Sequence, residues 1–241
     1  MAVTMIPARI DDETLAVGVD VLTRRDPDLA GIVERHGPPP LWARPPGFET
    51  LVAIILEQQV SLRSGAAALA RLRAAAGSAD ATGRLEPASV VQLGEARARA
   101  AGLTRQKARY VVELAVAAED GRFDAARIAG ADDSTARAEL VGLLGVGAWT
   151  ADIYLLMALG RPDVWPAGDL ALVAALAQVR RLPGLPTAGE AAGITDEWRP
   201  WRSVAARLLW HAYLAGERPP RRGHSEPAPS SGHRARVRCP P

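Results

Sequence analysis

An all-α fold is what this 241-residue sequence predicts. Three observations carry it. Apolar residues recur at helical spacing through long Ala/Leu/Val/Arg stretches. Val and Ile seldom alternate with polar residues, so few runs read as strands. Glycines and prolines fall mostly between the apolar segments and near the C-terminus, where they end helices rather than interrupt them.

Taken in order, residues 1–10 read as a loose leader. Segments 11–24 and 26–36 read as two short helices, the first with Leu15, Val19 and Leu22 on one face; Gly-Pro-Pro-Pro at 37–40 stops the second. The most hydrophobic helix spans 48–59. Ser61 can cap a helix over 62–76, and Gly77 ends it. Segment 87–100 is helical, and Thr104 can cap a helix over 105–119 that Asp120-Gly121 ends. Asp132-Asp133-Ser134 offers caps for a helix reaching about residue 143. A sharp turn at Gly145-Val146-Gly147 follows, then helices over 148–159, 169–180 and 196–214, the last with three tryptophans. The Pro/Arg/Ser/Gly-rich tail, 217–241, is expected to be disordered.

The composition excludes several functions. At 48% hydrophobic the chain can bury a sizeable core, in one domain or in two small lobes. Cys239 is its one cysteine, so neither an internal disulfide nor a Cys-ligated zinc or iron–sulfur site can form. A reducing cytoplasmic compartment is expected. The N-terminus lacks the pattern of a signal peptide, and no uncharged apolar run reaches the roughly 18–20 residues of a membrane helix. The net charge of +2 misleads: the tail holds six Arg and two Glu, which leaves the other 216 residues with 23 basic and 25 acidic groups. Any polyanion must therefore be held by local patches and oriented amides rather than by bulk charge. Lys107 is the only lysine.

The turn at 145–147 is the first candidate site. Glycine at both ends of it permits unusual backbone angles and close approach of a bulky partner. The amides of Gly147, Ala148 and Trp149 would then point outward at a helix N-terminus, a ready phosphate site that needs no lysine and ignores base sequence. By itself the pattern equally fits an ordinary helix–helix turn with a glycine C-cap.

The surrounding residues sharpen this reading. Leu143-Leu-Gly-Val-Gly-Ala-Trp-Thr-Ala151 resembles the helix–hairpin–helix motif of the base-excision DNA glycosylase superfamily (HhH-GPD), with Leu144 where proline is usual; an invariant Asp follows that motif about twenty residues on. Trp165-Pro-Ala-Gly-Asp169 stands at that distance. Ile55-Leu-Glu-Gln-Gln-Val-Ser61 and the helix from Trp201 to Trp210 resemble further blocks of the 3-methyladenine DNA glycosylase II branch, in its short form without an N-terminal β-rich domain. The resemblance covers roughly 11–215, with the hairpin at 139–160. It implies a two-lobed helical fold with the active-site cleft between lobes.

It also implies roles. Asp169 is the catalytic carboxylate, stabilising an oxocarbenium-like sugar cation and orienting water, although a plain helix N-cap would show the same spacing. Bifunctional members place a Schiff-base lysine where this chain has Trp149, so water is the expected nucleophile and no lyase activity is expected. Gln59 aligns with the residue that fills the gap left by a flipped base, with Gln58 as fallback; a polar helix end is the plainer reading. Trp149 and Trp210 align with pocket aromatics suited to a cationic alkylated purine, or are core tryptophans. Gly145, Gly147, Ala148 and Thr150 are the expected DNA contacts. A pocket tyrosine of some relatives is Ile153 here, and Tyr154 should face elsewhere. Asp152 and Asp163 read as structural. Arg97, Arg99, Arg105, Lys107 and Arg109 either meet phosphate or form a solvated face. No cofactor is expected beyond a monovalent cation that hairpin carbonyls of Val141, Leu143 and Val146 can hold, and the isolated His36 and His211 suggest no metal. The expected partner is damaged double-stranded DNA, met by a monomer, in the nucleoid if the source is bacterial. The expected reaction is release of 3-methyladenine and 7-methylguanine in base-excision repair. A non-catalytic DNA-binding module and a glycosylase for another damaged purine are the competing readings.

Overall fold

A computed structural model describes residues 7–77 and 83–216. Twelve helices and no strand occur among them: α1 (Asp12–Arg25), α2 (Pro27–His36), α3 (Phe48–Glu57), α4 (Leu62–Ala75), α5 (Pro87–Ala100), α6 (Arg105–Glu119), α7 (Ala125–Gly130), α8 (Asp133–Val141), α9 (Ala148–Met157), α10 (Leu170–Val179), α11 (Ala188–Asp196) and α12 (Arg202–Leu214). The expected caps form. Ser61 accepts from the Ser64 amide, Thr104 from Lys107 and Asp132 from Ser134 and Thr135, each satisfying orphan donors of a first turn.

Three helices differ from expectation. α7 and α11 have no expected counterpart. The span 196–214 divides into the end of α11 and α12, because Pro200 has no N–H for a continuous helix. α5 keeps its expected limits but is kinked at Gly94, whose φ is +69°.

The helices pack in two groups. α3 to α9 form one lobe, with α3 against α4, α6 and α9, and α8 against α7 and α9. α1, α2, α10 and α12 form the other. The chain crosses between lobes twice, in 37–47 and 158–169. Three helices are buried on most sides: α3 buries 54–56, α9 buries 150–156 and α12 buries 203–210, the first two almost wholly apolar and the third with Ser203 and Arg207 among its buried residues.

α12 fastens both crossings. Arg207, fully buried, donates to the carbonyls of Leu41, Leu156 and Ser203. Burial lowers its guanidinium to about 10, which still leaves it charged at neutral pH. Ser203 Oγ donates to the Arg161 carbonyl and accepts from the Val164 amide. A third fastening corrects the expectation of a loose leader: Ile10 is buried and its amide donates to the Gly160 carbonyl at 2.6 Å. Residues 1–6 and the tail expected to be disordered lie outside the described residues, and so does Cys239. No helix among the described residues is long and apolar enough to cross a membrane.

Candidate active site at the hairpin

α8 and α9 are clamped by Arg137, whose Nε and Nη2 donate to the two oxygens of buried Asp152 at 2.6 and 3.1 Å. Asp152 is thus structural, and so is Asp163, which receives Arg199 and Arg202. The turn between α8 and α9 needs glycine at 145 for two reasons. Its φ is +85°, and a Cβ there would overlap the ring of Tyr110 on α6. Gly147 differs from expectation. Its φ of −87° is open to any residue, and what glycine contributes is space, since a Cβ would meet nothing within 4 Å. That space lies at the N-terminus of α9, which no side chain caps. The first-turn amides of Ala148, Trp149 and Thr150 therefore lack an acceptor within the helix, the arrangement that suits a phosphate. Ala148 is exposed. Thr150 differs from expectation: it is buried, and its hydroxyl accepts from Gln58 rather than facing outward.

Asp169 caps α10, as its spacing suggested, with Oδ1 accepting from the Leu172 amide at 2.9 Å. It does more than cap. Trp149 Nε1, from α9, donates to Oδ2 at 3.0 Å, and Trp210 Nε1, from α12, lies 3.4 Å from Oδ1. The sequence paired these tryptophans with a base; the structure adds that both indole N–H edges converge on the carboxylate. Three helices thus aim donors at one half-buried side chain.

The α3–α4 turn sits beside the hairpin. Gln58 Nε2 donates to the Gly145 carbonyl and to Thr150 Oγ1, both at 2.9 Å. This removes Gln58 as an outward wedge, because its amide is spent holding the hairpin. Gln59 is exposed, with φ at +58°. Val60 and Leu62 beyond it are also exposed. Lys107 points inward from α6 and donates to the carbonyls of Leu56 and Gln58 at 2.7 and 2.9 Å. Its four arginine neighbours, Arg97, Arg99, Arg105 and Arg109, are exposed.

Elsewhere, Tyr154 faces the core and accepts the Gly47 amide, while Ile153 is buried. Trp198 donates to Asp26 and packs beside Arg180, and Trp201 lies against Gly18. His36 and His211 are not isolated: their rings stand edge to face at 6.2 Å, and His211 Nε2 lies 3.1 Å from the His36 carbonyl. Among the described residues no three His, Cys, Asp or Glu side chains group as a metal site. Nothing in the sequence foretold the Lys107 and Gln58 contacts, which join residues 49 to 92 positions apart.

Known proteins share this architecture. The family described as HhH-GPD superfamily base excision DNA repair protein matches residues 52–200. The probable bifunctional transcriptional activator/DNA repair enzyme AlkA of Mycobacterium tuberculosis is 33% identical over 190 residues, covering 77% of this chain and 37% of that protein. The putative DNA-3-methyladenine glycosylase YfjP of Bacillus subtilis is 24% identical over 186 residues, 76% of this chain and 65% of that one. The chain thus spans less than two thirds of the length of these relatives. Among solved structures, a DNA-3-methyladenine glycosidase from Bacillus halodurans superposes with a TM-score of 0.68 at 27% identity, covering 81% of this chain and 88% of its own. The Schizosaccharomyces pombe 3-methyladenine DNA glycosylase Mag1, in complex with abasic DNA, has the same fold (TM-score 0.71, 21% identity, 83% and 98% covered). The family match covers more than half of the chain, and with the 33% identity to AlkA it shows that this chain belongs to the HhH-GPD superfamily of base-excision DNA repair proteins.

Proposed function

We propose that the chain is a monofunctional DNA glycosylase that everts alkylated purines, 3-methyladenine and 7-methylguanine among them, and hydrolyses their N-glycosidic bond. One observation carries the reading: Asp169 is held by N–H donors from α9, α10 and α12 beside the uncapped start of α9. The amides of Ala148, Trp149 and Thr150 bind a phosphate next to the target nucleotide. This brings the sugar to the carboxylate. An alkylated purine carries a positive charge, so its C1′–N bond breaks with the electron pair returning to the base, which leaves neutral. Positive charge then develops on the sugar, and fixed Asp169 stabilises it without reorganising. The carboxylate's remaining lone-pair capacity orients a water, whose oxygen adds to C1′ and whose proton passes to solvent.

Two features favour water over a lysine nucleophile. Trp149 donates to Asp169 from the position a lyase lysine would occupy. The only lysine, Lys107, is committed to the α3 carbonyls. The names of the relatives support alkylpurines as substrate.

The test is chromatography of bases released from methylated duplex DNA. Wild type should free 3-methyladenine or 7-methylguanine without nicking the strand. Asp169→Asn keeps the cap but loses the charge, so it should bind DNA and release nothing. Full activity in that variant would remove Asp169 from the mechanism. No release by wild type under single-turnover conditions would favour a non-catalytic DNA-binding module.

The reading includes a structural monovalent cation at the hairpin. Its donors would be the carbonyls of Val141, Leu143 and Val146, at the end of α8 and across the turn that follows it, where that of Leu143 also accepts the Val146 amide. It would add positive charge near the bound phosphate. Replacing potassium by tetramethylammonium should then weaken DNA binding. The reading also takes the enzyme to be a cytoplasmic monomer, and sedimentation-equilibrium ultracentrifugation tests the oligomeric state.

A further inference from the structure

The α3–α4 turn presents an exposed side chain from an unfavourable backbone. Gln59 has φ at +58°, in the left-handed region that glycine or asparagine usually occupies. A helix normally ends in such a conformation when a glycine closes it and the last carbonyls find amide donors. Here the amide of Val60 reaches only the Glu57 carbonyl, at 3.3 Å. The carbonyls of Leu56 and Gln58 are taken instead by a side chain from another helix, the ammonium of Lys107. This cation faces a helix C-terminus, where positive charge is favoured. No carboxylate lies within ion-pair distance of it among the described residues. Desolvation lowers its proton affinity, so the contact costs something to hold.

The same helix face does a second job. Tyr110, one turn along α6 from Lys107, fills the space that Gly145 leaves open. Gln58 then ties the turn to the hairpin through Gly145 and Thr150. One face of α6 thus sets two surfaces relative to each other: the turn that carries Gln59 and the hairpin whose amides face the phosphate. Every other cationic side chain in the sequence but histidine is arginine. A planar guanidinium has its donors in a fixed fork, whereas an ammonium is a compact donor that can serve two carbonyls at a tight helix end.

We propose that Lys107 is a positioning residue for base eversion: its ammonium holds the left-handed turn that presents Gln59 and keeps that turn in register with the phosphate-binding hairpin. The proposal rests on the glycosylase reading above. It assigns Lys107 no contact with the substrate. Its effect should pass through Gln59, and it should matter only where a base must be driven out of a duplex and the gap filled.

The experiment compares wild type, Lys107→Met, Gln59→Ala and the double variant in single-turnover release of 7-methylguanine. Each is assayed on methylated duplex and on methylated single-stranded DNA. Lys107→Met should slow release from duplex about tenfold or more, the order expected when charge-assisted hydrogen bonds are lost. It should change release from single strands by less than about twofold. The double variant should be no slower on duplex than Gln59→Ala alone, since the two residues act as one device. Equal losses on both substrates, or effects of the two substitutions that multiply, would overturn the proposal. Should Lys107→Met fold poorly, Cys239→Ser with Lys107→Cys, alkylated to restore an aminoethyl ammonium, replaces it; the duplex rate should then return on alkylation, and its failure to return counts against the proposal. If wild type releases no base from either substrate, the glycosylase reading fails. A second readout then decides the role of Lys107. Binding to a duplex with 2-aminopurine beside an abasic analogue should raise fluorescence in wild type, by unstacking, and much less in Lys107→Met; an equal rise would overturn the positioning role.

Discussion

Asp169 receives three N–H groups from three helices, and two of them can be deleted one at a time. Trp149→Phe keeps an aromatic face but removes the 3.0 Å donor; Trp210→Phe removes the 3.4 Å one. A hydrogen bond to a charged group contributes about 1.5–3 kcal/mol, so Trp149→Phe should cut the single-turnover rate about tenfold or more if the bond holds the carboxylate for the transition state. The longer bond from Trp210 should matter less. Single-turnover kinetics on methylated duplex checks both. An unchanged rate in Trp149→Phe would return that tryptophan to a purely stacking role. Asp169 could be picked out from its distance to the glycine turn. Trp149 and Trp210 could be singled out as pocket aromatics but not as donors to the carboxylate, because those contacts link positions 20 and 41 residues apart and depend on how three helices meet.

The start of α9 is the element on which DNA affinity should depend. Ala148 is the first helical residue, where proline is tolerated because the N–H has no partner within the helix. Gly147, before it, is already extended and so accepts a following proline. Ala148→Pro should therefore delete one phosphate donor and leave the fold unchanged. The expected result is weaker binding to duplex of any sequence, by about tenfold, with an unaltered melting temperature; fluorescence anisotropy and thermal denaturation measure the two. At this scale much was legible. Most helices start where a Ser, Thr, Asp or Pro announces them, and α6 has its expected limits. The sequence also carries a start signal for α11: Thr187 and Glu190 form a capping box in both directions. Pro200 likewise marks the break before α12. What no local pattern carries is the pairing of elements. Lys107 closing α3 from α6, and Gln58 reaching the hairpin, are decided by packing.

Across the whole molecule, one helix holds both passages of the chain between the lobes. Arg207 reaches Leu41 in the first passage and Leu156 at the edge of the second, while Ser203 secures Arg161 and Val164. Arg207→Met fills a similar space but leaves the buried Leu156 carbonyl and the part-buried Leu41 carbonyl without their donor. A stability loss of about 2 kcal/mol or more is expected, read as a lower midpoint in urea unfolding at unchanged slope. These fastenings, with the Ile10–Gly160 bond, tie both passages to neighbouring helices. If the protein does not close on its target, the duplex must do the yielding. The work of bending and unstacking then falls on the nucleic acid, and it is least where a lesion has already softened the double helix. On the proposed glycosylase reading, discrimination would then begin in the mechanics of the DNA, before any damaged base reaches the indoles.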